Sequence, residues 1–257
     1  MTSTLAPPLR RAPLASAFDR DVAMRLAGTE YDRVADTFDL LSAEQWALPT
    51  ECPGWDVRAV AGHLVGMAEM ATGLRETIRQ QAVATWRAKR DGVEVIDAQT
   101  ALQVREHARL SLPSLVARMR EIAPRAVAGR RSTPGLIRRM STPPQVVGAG
   151  RERWMVGYLL DTILTRDPFM HRLDIARATG VLLPPTPEHE GVIVDDVVRE
   201  WAGRHGADYT LELTGPAGGR WESGAGGEPI RVDALDFCRA VSGRGPATGL
   251  LATRVPF

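Results

Sequence analysis

The chain has 257 residues, enough for one large domain or two modest ones, and 44% of them are hydrophobic, as in an ordinary globular protein. Its 32 basic and 31 acidic residues leave a formal charge of +1, so no overall field draws it to nucleic acid or to an anionic membrane. Two cysteines, Cys52 and Cys238, make no disulfide framework for such a chain and favour a reducing, cytoplasmic setting.

The N-terminal part predicts a tail followed by one long helix. Residues 1–15 lack the continuous apolar run of a signal peptide, and we expect a flexible tail. No stretch of the chain approaches the roughly 20 apolar residues that cross a bilayer. Within residues 16–41, apolar side chains recur at spacings of three, four and seven, which predicts an amphipathic helix. These side chains are Met24, Tyr31, Val34, Phe38 and Leu41.

A turn and a second helix follow. Residues 48–55 contain two prolines and a glycine, which predicts a turn, and Asp56 is placed to cap the next helix. The apolar face of that helix is marked by Val57, Val60, Leu64 and Met67. His63 falls about two turns into the helix, at the edge of this face.

The middle of the chain predicts a third helix and a long loop. Helical spacing extends over residues 97–122, with Pro113 expected to kink or interrupt it and His107 expected on a solvated face. Residues 129–150 are rich in Gly, Pro, Ser and Thr, which indicates a loop. The arginines between Arg130 and Arg153 are either solvated there or hold carboxylates of a substrate.

A fourth helix is predicted over residues 151–179 and closed by Gly180. Four long helices joined in this way predict an up-and-down four-helix bundle over residues 16–182. The proline-rich segment 181–187 reads as a linker, because three of its seven residues are prolines.

The last part of the chain has a different pattern. A helix is predicted over residues 188–204, a strand over 208–214 where apolar and polar residues alternate, two short strands at 220–223 and 229–232, and a helix over 234–241. We therefore expect a small C-terminal α+β domain over residues 188–257, and a fold class of α plus α+β.

The fourth helix carries the most informative pair, Asp167 and His171. Residues four apart lie about 40° from each other around a helix axis, so both side chains can bind one metal ion. A simple helical ion pair explains the same spacing equally well. Pro168 must kink the helix or begin it, and in the second case Asp167 becomes its N-cap.

His63 adds a second imidazole to this pair. Two neutral imidazoles and one carboxylate on neighbouring helices make a three-ligand site with a free position, the arrangement of a catalytic divalent metal. Asp174 can orient a metal-binding imidazole by accepting a hydrogen bond from its other ring nitrogen, although we favour a salt bridge with Arg172 or Arg177. Cys52 is a poor candidate nucleophile, since no basic residue close in sequence lowers its pKa.

Together these motifs resemble the mycothiol-dependent maleylpyruvate isomerase family of the DinB-like superfamily. The resemblance rests on Cys-Pro-Gly-Trp-Asp-Val-Arg at residues 52–58, Gly-His-Leu at 62–64 and Asp-x-x-x-His-Arg-x-Asp-Ile at 167–175. The C-terminal stretches 237–244 and 249–257 are also similar to C-terminal domains of that family. The resemblance thus covers nearly the whole chain.

The resemblance implies a DinB-like bundle that binds a divalent metal, usually zinc, through His63, Asp167 and His171. The isomerases carry glutamate at the acid position, whereas this chain has the shorter Asp167, followed by a proline. An arginine of the second domain assists the substrate in the family. Arg244 is the nearest match to it and Arg239 the next.

The implied activity uses mycothiol as a thiol cosubstrate and a small electrophile as substrate. A metal-activated thiolate adds to an electrophilic double bond, and rotation and elimination give cis-trans isomerisation. Without elimination the same first step is S-conjugation by a mycothiol S-transferase. A metal-binding DinB-like stress or interaction module without turnover is the third alternative. We expect a monomer or a homodimer.

Overall fold

A computed structural model describes residues 13–225, 227 and 229–257. The described chain forms two compact units. The helical unit contains residues 18–137 and 160–183, and the α+β unit contains residues 13–17, 138–159 and 184–257. Most of the predicted tail, residues 1–12, lies outside the described residues. Leu14 forms an isolated β-bridge with Trp154.

The helical unit contains the predicted bundle. Its helices are α1 (Arg20–Asp39), α2 (Val57–Met70), α3 (Leu74–Asp91), α4 (Val95–His107), α5 (Leu112–Ser132), the single turn α6 (Gly135–Arg138), and, after a break in sequence, α8 (Leu164–Thr179). Helices α1, α2, α5 and α8 form the four-helix bundle, because α1 and α2 each pack against both α5 and α8. Its core contains the side chains of Tyr31, Phe38, Leu64, Met119 and Phe169, all buried. The predicted fold class is confirmed.

The periodic pattern of residues 97–122 covers two helices, so the predicted helix is interrupted rather than kinked. The chain leaves α4 at His107 and begins α5 at Leu112, so Pro113 lies in the first turn of α5. A proline is tolerated there because the first amides of a helix have no helical acceptor. Ser111 caps α5, and its hydroxyl accepts a hydrogen bond from Ser114 N at 3.2 Å.

Helix α3 was not predicted, because its buried face is narrow and lacks large apolar residues. Gln80, Ala84 and Ala88 are the residues it buries, at spacings of four. Its other face exposes Ile78 and Trp86 to solvent. The helix packs mainly against α4, with which it forms a hairpin between α2 and α5.

The stretch of residues 129–150 is more ordered than the predicted loop. Helix α5 continues to Ser132, and the strands β1 (Gln145–Val147) and β2 (Gly150–Glu152) pair antiparallel. Arg130 is a helix residue and is fully buried, so it is neither a solvated loop side chain nor a free ligand for a substrate.

The α+β unit is built on a three-stranded sheet in the order β4-β3-β5. Its elements are α7 (Val156–Tyr158), a turn of π-helix (Pro187–Gly191), α9 (Val192–His205), β3 (Tyr209–Thr214), β4 (Gly219–Ser223), β5 (Pro229–Asp233) and α10 (Ala234–Ser242). Strand β3 pairs antiparallel with β4 and parallel with β5. Trp201 of α9 is fully buried and contacts the rings of Tyr209 and Phe237. In the described part of the chain, no helix is long and apolar enough to cross a membrane.

His107 is buried, contrary to the prediction of a solvated face. Its Nδ1 lies 2.7 Å from the carbonyl oxygen of Gln103, and its Nε2 lies 3.2 Å from Glu69 Oε2. Burial by itself lowers the pKa of His107, but the hydrogen bonds to Glu69 and Gln103 outweigh it and raise the pKa. Burial likewise opposes ionisation of Glu69, but hydrogen bonds from His107 and Arg118 lower its pKa.

These shifts predict a pH window in which the His107 and Glu69 pair stabilises the fold. The contribution of His107 is complete below its ordinary pKa of 6.5 and is lost as the pH rises through the raised value. That of Glu69 is present above 4.5 and is lost as the pH falls through its lowered pKa. Urea unfolding of wild type and His107→Gln should therefore differ most between pH 4.5 and 6.5.

A matched variant checks the sign of this effect. Burial lowers the pKa of His205, so the trend for His205→Gln should run the other way, with the wild type losing its advantage as the pH falls. A difference between wild type and His107→Gln that stays constant from pH 5 to 9 would contradict the pairing of His107 with Glu69.

Candidate metal centre

The turn before α2 is held by its own hydrogen bonds. Thr50 N and Thr50 Oγ1 both donate to the carbonyl oxygen of Trp55, at 3.0 and 2.8 Å. Asp56 then caps α2 as predicted, because its Oδ1 accepts a hydrogen bond from Ala59 N at 2.7 Å. These contacts position Trp55, and His63 lies two turns further along α2.

Asp167 and His171 lie inside α8, and Pro168 neither begins this helix nor ends it. A proline has no N–H, so the carbonyl of Leu164, four residues earlier, loses its helical donor. Arg130 of α5 supplies the missing bond, because its Nη1 donates to Leu164 O at 3.0 Å and its Nη2 to Thr165 Oγ1 at 2.7 Å. A turn of π-helix, Leu159–Ile163, precedes α8 and locally adjusts the backbone.

The structure brings His63, Asp167 and His171 together. Asp167 Oδ2 lies 3.2 Å from His63 Nε2, and Asp167 Oδ1 lies 3.6 Å from His171 Nε2. The two imidazole rings meet edge to face, with centroids 5.0 Å apart. Both histidines are buried, whereas 22% of the Asp167 side chain is exposed. The site is therefore open to solvent on the side of the carboxylate.

The other nitrogen of each imidazole faces an acceptor. His171 Nδ1 lies 3.0 Å from Oδ2 of the fully buried Asp174, and His63 Nδ1 lies 2.8 Å from Gln103 Oε1. An acceptor at Nδ1 selects the neutral tautomer that carries its proton there, so Nε2 presents its lone pair. Both Nε2 lone pairs then face the carboxylate of Asp167, and such an array of acceptors calls for a proton or a metal ion between them.

Asp174, for which we favoured a salt bridge, lies behind His171, with Oδ2 3.0 Å from Nδ1 of the imidazole. Arg172 donates to both carboxylate oxygens of Glu30, at 2.8 and 3.1 Å, and Arg177 contacts Glu51. The contact with His171 favours the orienting role of Asp174, in which the carboxylate accepts a hydrogen bond from Nδ1–H of the imidazole.

Two further side chains border the site. The indole of Trp55 stacks on the ring of His171 with centroids 6.1 Å apart and tilts against His63 at 5.3 Å. Cys52 Sγ lies 3.3 Å from Asp174 Oδ2 and 3.7 Å from His171 Nδ1. Cys52 is thus next to the imidazole of His171 in space, although the two residues are 119 positions apart in sequence.

The donor set fits a divalent metal ion. In a tetrahedral zinc site with bonds of about 2.0–2.1 Å, neighbouring ligand atoms are separated by about 3.3 Å. The separations between Asp167 oxygens and the two Nε2 atoms bracket this value, and the three ligand atoms all lie within 4.8 Å of one another. Asp167 thus reaches both imidazoles despite its short side chain.

The two candidate arginines belong to the α+β unit. Arg239 lies on α10 and is buried, and its Nη2 donates to the carbonyl oxygen of Arg244 at 3.1 Å. Arg244 lies in the turn after α10, where its backbone N donates to Arg239 O at 2.9 Å. The described contacts thus join the two arginines to each other.

Trp55, Gln103 and Asp174 border the site, but the residue pattern gave little signal for them. The sequence predicts only a turn at Trp55, and for Asp174 it favours a salt bridge. Gln103 lies 40 residues from His63 in sequence, on a helix with almost uniform polarity around its axis. Only the packing of α4 on α2 reveals it.

The fold has known counterparts. The crystal structure of a mycothiol-dependent maleylpyruvate isomerase matches with a TM-score of 0.54 and 15% sequence identity, covering 89% of this chain and 90% of that one. A structure of a histidine-to-alanine mutant of that isomerase matches with a TM-score of 0.53 over the same shares. At this identity the match shows only that this chain and the isomerase share a fold.

Sequence comparison identifies the family more closely. Residues 27–176 match the mycothiol maleylpyruvate isomerase N-terminal domain, which is more than half of the chain and includes His63, Asp167 and His171. The chain belongs to this family. It is also 29% identical over 218 residues to the uncharacterized proteins Rv0036c and MT0041 of two Mycobacterium tuberculosis strains, covering 79% of this chain and 78% of each of theirs.

The bond from Arg130 to Leu164 predicts a large effect on stability. In Arg130→Met the Leu164 carbonyl would be buried without a donor, which costs about 1–3 kcal/mol, and the bond to Thr165 would be lost as well. Arg131→Met is the matched control, because Arg131 is half exposed and its ion pair with Asp21 contributes at most about 1 kcal/mol. Urea unfolding measures both variants.

A second substitution isolates the role of Pro168. Pro168→Ala restores an N–H four residues after Leu164, so the cost of Arg130→Met should be smaller in that background than in wild type. Equal costs in the two backgrounds would show that Arg130 does not substitute for the missing helical bond.

Proposed function

We propose that His63, Asp167 and His171 bind a divalent metal ion, and that the protein is a mycothiol-dependent enzyme of the maleylpyruvate isomerase type. The single observation that carries the proposal is the convergence of two Nε2 lone pairs on one carboxylate. Zinc suits this donor set, because two imidazoles and a carboxylate make a common catalytic zinc site that leaves one position open.

A metal ion with an open position, when bound, supplies the Lewis acidity that lowers the pKa of a thiol and favours its thiolate. The surrounding residues keep the ligands in place. Asp174 accepts a hydrogen bond from Nδ1–H of His171, which holds the Nε2 lone pair toward Asp167. Trp55 packs against both imidazoles and restrains their rotation. Access is from the side of Asp167, the more exposed of the three ligands.

The reaction that we propose is a thiol-assisted cis-trans isomerisation. The mycothiol thiolate adds to one carbon of a double bond that is conjugated with a carbonyl, and the π electron pair moves onto the carbonyl oxygen. Rotation about the resulting single bond follows. Return of the electron pair then breaks the carbon–sulfur bond and expels the thiolate, so that the trans alkene forms and the thiolate is regenerated.

Arg244, and next to it Arg239, are proposed to assist an anionic substrate. A guanidinium suits a carboxylate because it offers two parallel donors. Arg239 is buried and bonded to the Arg244 carbonyl, so it also holds the turn that carries Arg244. Of the two, Arg244 is therefore the better candidate for contact with substrate.

The metal proposal predicts about one zinc ion per chain. His63→Ala and His171→Ala should each reduce the bound metal to a small fraction of the wild-type content, because two ligands hold a divalent ion much more weakly than three. Elemental analysis after dialysis against buffered zinc measures this. His205→Ala, a histidine substitution in the α+β unit, should keep the full content. Wild-type metal content in both ligand variants would contradict the site.

The activity proposal predicts a thiol-dependent change in conjugated cis-alkenes. Zinc-loaded protein is incubated with mycothiol and a panel of such electrophiles, including maleylpyruvate, and products are identified by mass spectrometry and NMR. We expect trans isomers that form only when mycothiol is present. Stable thiol adducts would indicate an S-transferase instead, and no thiol-dependent product from the panel would favour a binding module.

The same assay tests the arginines. Arg244→Ala should raise KM or lower kcat at unchanged metal content, by about tenfold or more for a lost charged contact to substrate. Unchanged kinetics in Arg244→Ala would remove this residue from the proposed site.

A further inference from the structure

We infer that Gln80 and Gln103 form a relay that fixes the tautomer of His63 and thereby prepares it to bind a metal ion through Nε2. The inference deepens the proposed function and rests on it for the metal, but the tautomer itself is a property of the metal-free chain. Gln80, Gln103 and His63 are all buried, on α3, α4 and α2 respectively. None of the motifs in the sequence pointed to either glutamine.

The relay begins at the backbone carbonyl oxygen of Gly66, which can accept hydrogen bonds but cannot donate them. Gln80 Nε2 donates to the carbonyl oxygen of Gly66 at 2.9 Å and to Glu76 Oε1 at 3.0 Å. Rotating this amide by 180° would place its oxygen against two other oxygens, so the nitrogen must face Gly66 and Glu76. Gln80 Oε1 is therefore directed to the other side, toward α4.

The orientation of the second amide follows from the first. Gln80 Oε1 is an acceptor, so the group 2.9 Å from it must be the Nε2 of Gln103. Gln103 then presents Oε1 to His63 Nδ1, at 2.8 Å. An oxygen at this distance requires a proton on Nδ1, and a neutral imidazole with its proton on Nδ1 has its lone pair on Nε2. That lone pair is the one that faces Asp167.

Close packing of α4 on α2 makes the relay possible. A Cβ atom at Gly66 would lie 2.6 Å from Cβ and 2.8 Å from Cγ of Gln103, and one at Gly62 would lie 3.3 Å from Cβ of His107. The two glycines, one helical turn apart, let α4 approach until Gln103 reaches His63. Gly66 thus has two roles. Its carbonyl oxygen accepts the first hydrogen bond of the relay, and its lack of a side chain leaves space for Gln103.

The two histidines of the site are thus held by different chemistry. His171 Nδ1 faces the carboxylate of Asp174. His63 Nδ1 faces the neutral amide of Gln103, whose orientation is set by its hydrogen bond to Gln80. A carboxylate accepts in any rotation, so His171 needs no further device. An amide can flip, and Gln80 is what prevents Gln103 from doing so. Gln80 is a positioning residue that touches neither the ligand atoms nor a substrate.

The first test needs no variant. Long-range ¹H–¹⁵N NMR of the imidazole rings, recorded on metal-free protein at a pH where His63 is neutral, reports which nitrogen carries the proton. We expect a single tautomer with the proton on Nδ1. A neutral His63 with its proton on Nε2, or an equal mixture of the two tautomers, would overturn the relay.

The second test is Gln80→Leu, which leaves every atom that contacts His63 in place. With the anchor removed, Gln103 is free to flip, and the NMR signature of His63 should change to a tautomer mixture while that of His171 stays unchanged. Zinc affinity, measured by competition with a chromophoric chelator, should fall by about 10–100-fold, the usual effect of losing an outer partner of a metal ligand.

Gln81→Leu is the matched control. Gln81 is the next residue on α3, and its Nε2 also donates to an amide oxygen of α4, that of Gln99, at 2.8 Å. The change in side chain is the same, but this pair leads away from His63. We expect the tautomer of His63 and the zinc affinity to stay at wild-type values, with thermal unfolding measured in parallel for both variants.

Gln103→Leu completes the comparison. It should lower zinc affinity at least as much as Gln80→Leu, and the double variant should bind zinc no more weakly than Gln103→Leu alone, because both changes break one relay. Additive losses, or a wild-type His63 tautomer in folded Gln80→Leu, would overturn the inference. If wild type binds no zinc, the proposed function fails, and the metal-free NMR result still decides the relay.

Discussion

The site depends on one constraint, which is that three hydrogen-bond acceptors are held facing one another. They are Nε2 of His63, Nε2 of His171 and the carboxylate of Asp167. Nδ1 of each imidazole is occupied by an acceptor, so each ring turns its Nε2 lone pair toward Asp167. Lone pairs of two nitrogens and a carboxylate repel unless a cation lies between them. The arrangement of these three groups therefore favours a positive charge between them.

Holding these groups requires three helices with unusual features. Helix α2 carries glycines where α4 approaches it, and α8 contains a proline beside the acidic residue of the site. Pro168 leaves the carbonyl of Leu164 without its helical donor, and the buried Arg130 provides one from α5. A residue that breaks a local rule is thus balanced by one 38 positions away in sequence, which is typical of functional sites.

Much of this organisation could be predicted from the residues. Helix α1, the Asp56 cap, the Gly180 C-cap and the strand pattern of residues 209–214 were all expected, because periodicity and capping are local properties. Of the two alternatives for residues 97–122, the structure has the interrupted helix rather than the kinked one, and the expected loop over 129–150 was wrong. Pro113 marks a helix start as well as a kink, and the glycine and arginine content of α5 resembles that of a loop.

The sequence by itself determined several of the helices and strands, the family and the residue types of the site, since spacing on a helix places Asp167 and His171 on one face. Tertiary structure alone decided the rest. It placed Asp174 beside Nδ1 of His171, buried Arg130 against Leu164, and brought Gln103 from α4 to His63. The physical reason is that a hydrogen bond depends on distance and direction in space. Arg130 and Leu164 are 34 positions apart and His63 and Gln103 are 40 apart, so neither pair carries a local signal of its contact.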